Sequence, residues 1–156
     1  MILEHFELRQ ITGLADFEAL KGLFNDYRAF YGLVNTERAA HFLKARMEAG
    51  DTLILAAEST TTGALVGFAQ VYYSFSSLRL APFWVLNDLY VEEAYRGQGV
   101  GEQLLAELKT RAEAQGVCGI MLDTAMDNAR AKGLYQKMDF LANEASSYMY
   151  WFSKSE

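Results

Sequence analysis

The sequence predicts a single domain of mixed α/β class over residues 1–156, and three observations support this prediction. The chain has the length of about one domain, and 51% of its residues are hydrophobic, enough to form a core. Its apolar residues alternate between runs typical of strands and the three-to-four-residue spacing typical of helices. No linker, low-complexity tract or internal repeat divides the sequence.

The first part of the chain predicts a strand and two helices. Residues 2–9 are the predicted first strand. Asp16 is the predicted N-cap of a helix whose apolar stripe is Phe17, Leu20, Phe24 and Tyr27. The second helix is predicted to begin near Asn35 or Thr36 and to end at Gly50. Its predicted apolar face is Phe42, Leu43 and Met47.

The middle of the chain predicts strands. The runs 52–58 and 64–73 predict a hairpin, joined by the turn-forming cluster at 60–63. Residues 74–83 hold the only proline and are predicted to be a loop that starts a further strand. Residues 84–91 predict a strong strand that leads into a run rich in glycine.

The last third predicts alternating helices and strands. An amphipathic helix is predicted from Gly101 until Gly116 ends it, with one apolar face of Leu104, Leu105, Leu108 and Ala112. A strand at 117–125, a short helix at about 129–138 and a final strand at 146–153 follow. This order of elements is that of a mixed α/β domain.

Charge and composition argue against several classes of function. The formal net charge of −6 argues against general nucleic-acid binding and mildly favours cationic small molecules or basic peptides. A single cysteine, Cys118, excludes an internal disulfide framework. Without a leader or an apolar run of ~20 residues, we expect a soluble cytoplasmic protein that binds no membrane. His5 and His41 are isolated, so no metal site is predicted.

The run YRGQGVG at 95–101 is the strongest local signal. It is not a P-loop, because Glu102 and Gln103 stand where lysine and a hydroxyl residue are needed. It is not a dinucleotide fingerprint either, because the third glycine would fall at Glu102. A glycine turn between a strand and a helix can still bind a pyrophosphate through backbone amides and the helix dipole. The alternative is a tight turn that binds nothing.

Two motifs resemble the GCN5-related N-acetyltransferase (GNAT) family. Arg96-x-x-Gly99-x-Gly101 after the strand 84–91 is similar to its acetyl-CoA signature, and DNARAKGLYQKMDF at 127–140 is similar to its second motif. Asp139 departs from the family's usual glycine, so we expect a changed turn there without loss of cofactor binding. The resemblance implies a mostly antiparallel mixed sheet of about 6–7 strands with about 4 helices. It also implies acetyl-CoA as co-substrate, no metal, and a homodimer.

The resemblance also implies the residues that bind acetyl-CoA, through strand backbone, the glycine turn and the later helix. They are Leu89, Tyr90, Val91, Arg96, Gly97, Gln98, Gly99, Val100, Gly101, Glu102, Asn128 and Ala131. Residues 128, 131 and 135 share a helix face by the 3.6-residue period. Asn128 is alternatively a plain helix cap, and Tyr135 is alternatively a core residue.

Acetyl transfer to an amine needs a base and a donor for the thiolate. Tyr135 would meet the departing thiolate, and a backbone N–H of the strand would hold the charge that develops on the carbonyl oxygen. A neutral amine costs about 4 to 5 kcal/mol at pH 7, so a base or water chain is expected nearby. Asp88 or Glu58 would end that chain, or would only fix neighbouring backbone. Asn87, next to Asp88, cannot accept a proton.

The resemblance also implies an acceptor site at the end of the first helix. There Tyr27, Phe30 and Tyr31 either form its wall, together with Asn87, or only pack the helix. A polyamine or lysine side chain would suit aromatic and acidic surroundings, while an acceptor carrying a carboxylate would need Arg28 or Arg79. The alternative to an enzyme is a non-catalytic module that binds acyl-CoA and keeps the same fold.

Overall fold

The computed structural model describes residues 5–143 and 145–152, and these form two compact units. The first unit runs to Asp123 and the second begins at Thr124. The first unit contains every described strand and three helices, and the second contains one helix. The expectation of one domain over the whole chain stays a prediction.

The first unit is built on a five-stranded mixed sheet with the order β1-β2-β3-β4-β5. Neighbouring strands are antiparallel except β4 and β5, which are parallel. The strands are β1 (Phe6–Gln10), β2 (Thr52–Ser59), β3 (Leu65–Ser76), β4 (Ala81–Val91) and β5 (Ile120–Met121).

The helices are α1 (Phe17–Phe30), α2 (Thr36–Ala49) and α3 (Val100–Ala114), with α4 (Ala129–Lys137) in the second unit. The predicted ends of α2 are confirmed: the Asn35 side chain accepts from the Arg38 amide, and Gly50 takes a left-handed φ of 63°. No helix in the part of the chain that the structure describes is long and apolar enough to cross a membrane.

The core lies on both sides of the sheet. Five successive residues of β2, Leu53 to Ala57, are buried, as expected for a strand covered on both faces. Leu20 and Phe24 of α1 and Leu43 of α2 pack with Phe68 of β3. The four predicted apolar residues of α3 are all buried against the strands.

Two details of the helices differ from the sequence prediction. Asp16 precedes α1 but makes no side-chain cap, because its carboxylate accepts two hydrogen bonds from Arg9 at 2.7 and 2.8 Å. Phe42 is 49% exposed instead of sharing the buried face of α2, because Arg46 stacks on its ring at the surface. Ala39 lies in that buried face with Leu43 and Met47.

The strands differ more. The predicted loop 74–83 belongs largely to β3 and β4, which are joined by a short turn at 77–80. The predicted strand 117–125 is reduced to β5, and residues 146–152 form no strand; residue 153 lies outside the described residues, as do residues 2–4 of the predicted first strand. The described sheet therefore has fewer strands than the predicted 6–7, because only cross-strand pairing turns an alternating apolar run into a strand.

Candidate active site

β4 is paired with β5 at only two positions. They pair only at Trp84 with Ile120 and at Val85 with Met121. Beyond Val85, no described strand pairs with β4 on that side, so residues 86–91 present an open edge. An open edge exposes backbone donors and acceptors to an extended ligand.

The backbone groups of alternate β4 residues point to this edge. The Glu92 amide donates to the Val66 carbonyl, so Glu92 faces β3. The alternation of an antiparallel ladder then directs the groups of Tyr90 toward β3 and those of Leu89 and Val91 toward the open edge. Of the three predicted backbone contacts, Leu89 and Val91 are therefore available to a ligand, while the Tyr90 backbone belongs to the sheet.

The glycine turn follows β4 after a short 3-10 turn at Glu93–Tyr95. Gly97 and Gly99 have φ of 78° and 82°, conformations that favour glycine. Gly99 is the N-cap of α3 and supplies no side-chain cap to its first amides. A Cβ built on Gly97 or Gly99 would meet no atom within 4 Å. The turn is thus open above its backbone, as an anion-binding helix terminus requires.

Another glycine, Gly67 on β3, lets α3 approach the sheet closely. A Cβ at this position would lie 3.1 Å from the Tyr90 carbonyl oxygen and 3.2 Å from Cγ1 of Val100. Val100 is the first residue of α3, so the missing side chain fixes how near the helix terminus lies to β4. Contacts this short require the backbone or Val100 to move.

We expect Gly67→Ala to lower the free energy of unfolding by about 1–3 kcal/mol through overpacking. It should also weaken binding of acetyl-CoA, the ligand that the motifs predict, because the shift falls on the first residue of α3. Thermal unfolding and calorimetric titration measure the two effects. Gly22→Ala is the control, since a Cβ at Gly22 of α1 meets nothing within 4 Å. Wild-type stability of the Gly67 variant would contradict the close contact.

A β-bulge at Asn87 interrupts the regular alternation of side chains along β4. Gln70 pairs with Asp88 while Val71 pairs with Leu86, so Asn87 is the extra residue. Asn87 is exposed and Asp88 is only 5% exposed, which agrees with the opposite faces predicted for them. The bulge nevertheless allows the Asn87 side-chain amide to donate to Asp88 Oδ1 at 3.1 Å.

Asp88 is a buried carboxylate with a raised pKa. Burial raises its pKa, and hydrogen bonds from the Tyr27 hydroxyl and the Asn87 amide partly oppose this rise. Burial and the charge of Asp88 in turn raise the pKa of Tyr27. Tyr27, predicted to contact the acceptor, therefore binds Asp88 directly. A carboxylate with such a pKa is suited to accept and release a proton.

Gln70 and Tyr72 are polar neighbours of Asp88 that sequence reasoning missed. Gln70 is fully buried, is the cross-strand partner of Asp88, and donates from Nε2 to the Tyr72 hydroxyl at 2.6 Å. Burial raises the pKa of Tyr72, and the Asp88 charge adds to the rise. A lone amide in the otherwise apolar run ALVGFAQVYY was the available signal, because a buried polar side chain needs a partner.

The predicted aromatic wall is a connected cluster. The Tyr27 ring lies 5.4 Å from Tyr31, 5.6 Å from Phe68 and 5.8 Å from Tyr90, between centroids. Phe30 lies 5.3 Å from Tyr31, and both are more than half exposed. Tyr27 thus packs inside the unit, as the alternative reading of the sequence proposed, while Phe30 and Tyr31 form an exposed wall.

Three further candidates have structural partners or lie elsewhere. Glu58 accepts a hydrogen bond from Arg9 at 2.8 Å, so it fixes β2 to β1. Arg28 donates to the Asn35 carbonyl at the start of α2. Arg79 lies in the β3–β4 turn, nine residues before Asp88 along β4 and thus roughly 30 Å away at an extended rise. Of the two predicted bases, Glu58 is thus bound by an arginine, and Asp88 is the buried carboxylate.

In the second unit, Asn128 caps α4. Its Oδ1 accepts from the Ala131 amide at 3.1 Å, which confirms the predicted cap. The Tyr135 ring packs edge-on against Phe140 at 5.9 Å. Asp139 has φ of 66°, so the aspartate adopts the left-handed conformation that glycine would take more easily, and the helix still ends there.

Among the residues that the structure describes, no group of three His, Cys, Asp or Glu side chains could hold a metal ion. The prediction that the protein uses no metal stays a prediction.

Comparison with known proteins gives a consistent result. Residues 20–140 match the acetyltransferase (GNAT) family model. An uncharacterized N-acetyltransferase of Bacillus subtilis is 38% identical over 124 residues, 79% of this chain and 82% of the relative. A D-amino-acid N-acetyltransferase of Saccharomyces cerevisiae is 31% identical over 130 residues, 80% of this chain and 79% of that protein.

The fold agrees as well. A crystal structure of a probable acetyltransferase has a TM-score of 0.90 and 34% identity, covering 96% of this chain and 99% of that one. The fold of this chain is thus that of a solved acetyltransferase structure over nearly its whole length. The chain belongs to the acetyltransferase (GNAT) family and is an acetyl-transferring enzyme.

Proposed function

We propose that this enzyme transfers the acetyl group of acetyl-CoA to the primary amine of a small cationic molecule or a lysine side chain, by direct attack in a ternary complex. The observation that carries the proposal is Asp88. It is a buried carboxylate with a raised pKa, placed at a bulge where the open edge of β4 begins. No covalent enzyme intermediate is needed.

The first unit has the features needed to bind the donor, which the family uses as its co-substrate. The open backbone from Arg96 through Glu102 would take the pyrophosphate, since the glycines leave space above the turn and α3 begins there. The backbone N–H and C=O of Leu89 and the backbone N–H of Val91 would hydrogen-bond the pantetheine arm, as a sheet edge binds an added strand. The Val91 carbonyl already accepts from Arg96 Nε at 2.8 Å. From the family resemblance of the second motif, we also assign Asn128 and Ala131 to the binding of the pantetheine arm.

The reaction forms a C–N bond and breaks the C–S bond of the thioester. A neutral amine attacks the carbonyl carbon, and an edge amide of Leu89 or Val91 stabilises the negative charge on the carbonyl oxygen. Asp88 accepts the proton that the nitrogen loses, directly or through water, while Asn87 and Tyr27 hold its carboxylate in place. Tyr135 is assigned to the departing thiolate, which takes a proton or a hydrogen bond from the phenol.

The surroundings of Asp88 favour a cationic acceptor. The exposed ring of Tyr31 offers a face that attracts an ammonium group. Two acidic groups, Asp26 and Glu92, lie near each other at the end of β4, and the charge of Asp26 adds to burial in raising the pKa of Glu92. The name of one relative, a D-amino-acid N-acetyltransferase, supports free amino acids as candidate acceptors, together with polyamines.

The test is thiol release from acetyl-CoA with a panel of amines. The panel holds spermidine, diamines, L- and D-lysine, other amino acids, an aminoalkylphosphonate and a basic peptide. We expect release with one class of cationic primary amine. Silence across the panel with intact acetyl-CoA binding would favour a non-catalytic acyl-CoA-binding module. If the protein did not bind acetyl-CoA, the assignment of the glycine turn as a pyrophosphate-binding site would be wrong.

We also propose that the protein is a homodimer in the cytoplasm. The segment Tyr148–Phe152 of the second unit exposes five consecutive large hydrophobic side chains, and a contiguous exposed apolar patch is typical of an interaction surface. A second copy of the chain would cover them. Light scattering at high protein concentration tests this, and a monomer mass would contradict it.

A further inference from the structure

Arg96, the first residue of the glycine turn, is held between two aromatic rings. Its Cζ lies 5.5 Å from the centroid of Phe30 and 5.5 Å from that of Tyr90. Its Nε donates to the Val91 carbonyl at 2.8 Å, and its side chain also hydrogen-bonds the Tyr90 hydroxyl. The guanidinium group is therefore held by two ring contacts and two hydrogen bonds.

Phe30 makes this contact from a different part of the fold. It is the last residue of α1, it is 61% exposed, and its described ring partners are Tyr31 and Arg96. At this exposure the ring contributes little to the core, and its contact with Arg96 is the feature that connects it to the glycine turn. Through them, the exposed aromatic wall touches the start of the glycine turn.

We infer that Phe30 is a positioning residue for acetyl-CoA. Its ring contacts Arg96 on one side while Tyr90 contacts it on another, and these contacts orient Arg96 at the start of the pyrophosphate-binding turn. The inference rests on the proposed function of that turn. Because Phe30 also lies beside Tyr31, it joins the cofactor turn to the acceptor wall. Any coupling between the two sites through Phe30 would be reciprocal, as thermodynamic linkage requires.

Three variants test this by calorimetric titration of acetyl-CoA, without turnover. Phe30→Leu keeps apolar bulk but loses the ring face, and we expect the Kd to rise roughly two- to fivefold, as expected for losing an exposed cation–π contact. Phe30→Tyr keeps the face and should restore the wild-type Kd. Phe42→Leu is the matched control, because Phe42 is also an exposed phenylalanine with an arginine, Arg46, 5.7 Å from its ring.

The outcomes separate this inference from the proposed function. Wild-type affinity in Phe30→Leu, or an equal loss in Phe42→Leu, would overturn the inference while leaving acetyl-CoA binding intact. No binding by the wild-type chain would instead reject the proposed function. A double-mutant cycle with Arg96→Lys locates the effect: losses that add independently would show that Phe30 does not act through Arg96. Equal thermal unfolding of Phe30→Leu and Phe42→Leu excludes a general loss of structure.

Discussion

Asp88→Asn is expected to lower kcat/KM for the acceptor by roughly 10²–10⁴-fold, the contribution of a positioned general base. Asparagine keeps the size of the side chain and an oxygen that accepts from Tyr27, so the sheet and the bulge should remain. It cannot take the proton that the amine releases. Acetyl-CoA affinity should change little, because the Asp88 backbone faces β3 and not the open edge.

The pH dependence of the reaction gives a second readout. Asp88 must be ionised to act as a base, and burial raises its pKa above the ordinary 3.8. In the wild type, kcat/KM should therefore rise with pH through this elevated pKa. The Asn variant should lose that limb and keep only the rise that follows deprotonation of the amine itself. An unchanged profile would show that Asp88 only fixes neighbouring backbone.

Stability should respond to pH in the opposite direction. Because the folded pKa of Asp88 is raised, the folded chain binds more protons than the unfolded chain between 3.8 and that higher value. Its contribution to stability is thus lost as pH rises through this window. At neutral pH, Asp88→Asn should unfold at the same temperature as the wild type or above it, as measured by thermal unfolding.

Asp16→Asn is the matched control. Hydrogen bonds from Arg9 lower the pKa of Asp16, so its contribution is present above the ordinary 3.8 and is lost as pH falls through the lowered folded value. This variant should lose a little stability at neutral pH and keep its activity. A comparable loss of kcat/KM in both variants would remove the special role of Asp88.

Tyr135→Phe is expected to lower kcat by roughly 10²–10³-fold, within the range that proton transfer by a positioned side chain contributes. Phenylalanine retains the ring that packs against Phe140, so α4 should remain. The KM for both substrates should stay near the wild-type value, because the hydroxyl acts on the thiolate that forms during the reaction. Steady-state kinetics against the amine found in the panel measures both quantities.

Tyr73→Phe is the control for this variant, since Tyr73 of β3 is 45% exposed and its ring packs on Trp84 much as the Tyr135 ring packs on Phe140. Its kinetics should match the wild type. If Tyr135→Phe kept kcat within about threefold, Tyr135 would be a packing residue and the thiolate would be met by solvent or by another group. Calorimetric binding of acetyl-CoA to both variants distinguishes lost chemistry from lost binding.

Much of the fold could be predicted because its signals are local. Asn35 and Gly50 mark the ends of α2 by their own conformational preferences, and the helical spacing of Leu104 and Leu108 identifies the buried face of α3. Strands were predicted less well because they depend on pairing between distant segments. The segment 74–83, which holds the only proline, is predicted to be a loop, yet its two ends pair with each other as the end of β3 and the start of β4.

The sequence by itself determined the family, the glycine turn and the candidate list, because each depends on residue types at short fixed spacings. Only the tertiary structure decided which candidates lie together. Asp88 meets Tyr27 and Gln70 across 61 and 18 positions of sequence, while Glu58 is bound by Arg9 instead. Burial and cross-strand contact set the pKa of a carboxylate, and neither can be read from its neighbours in the chain.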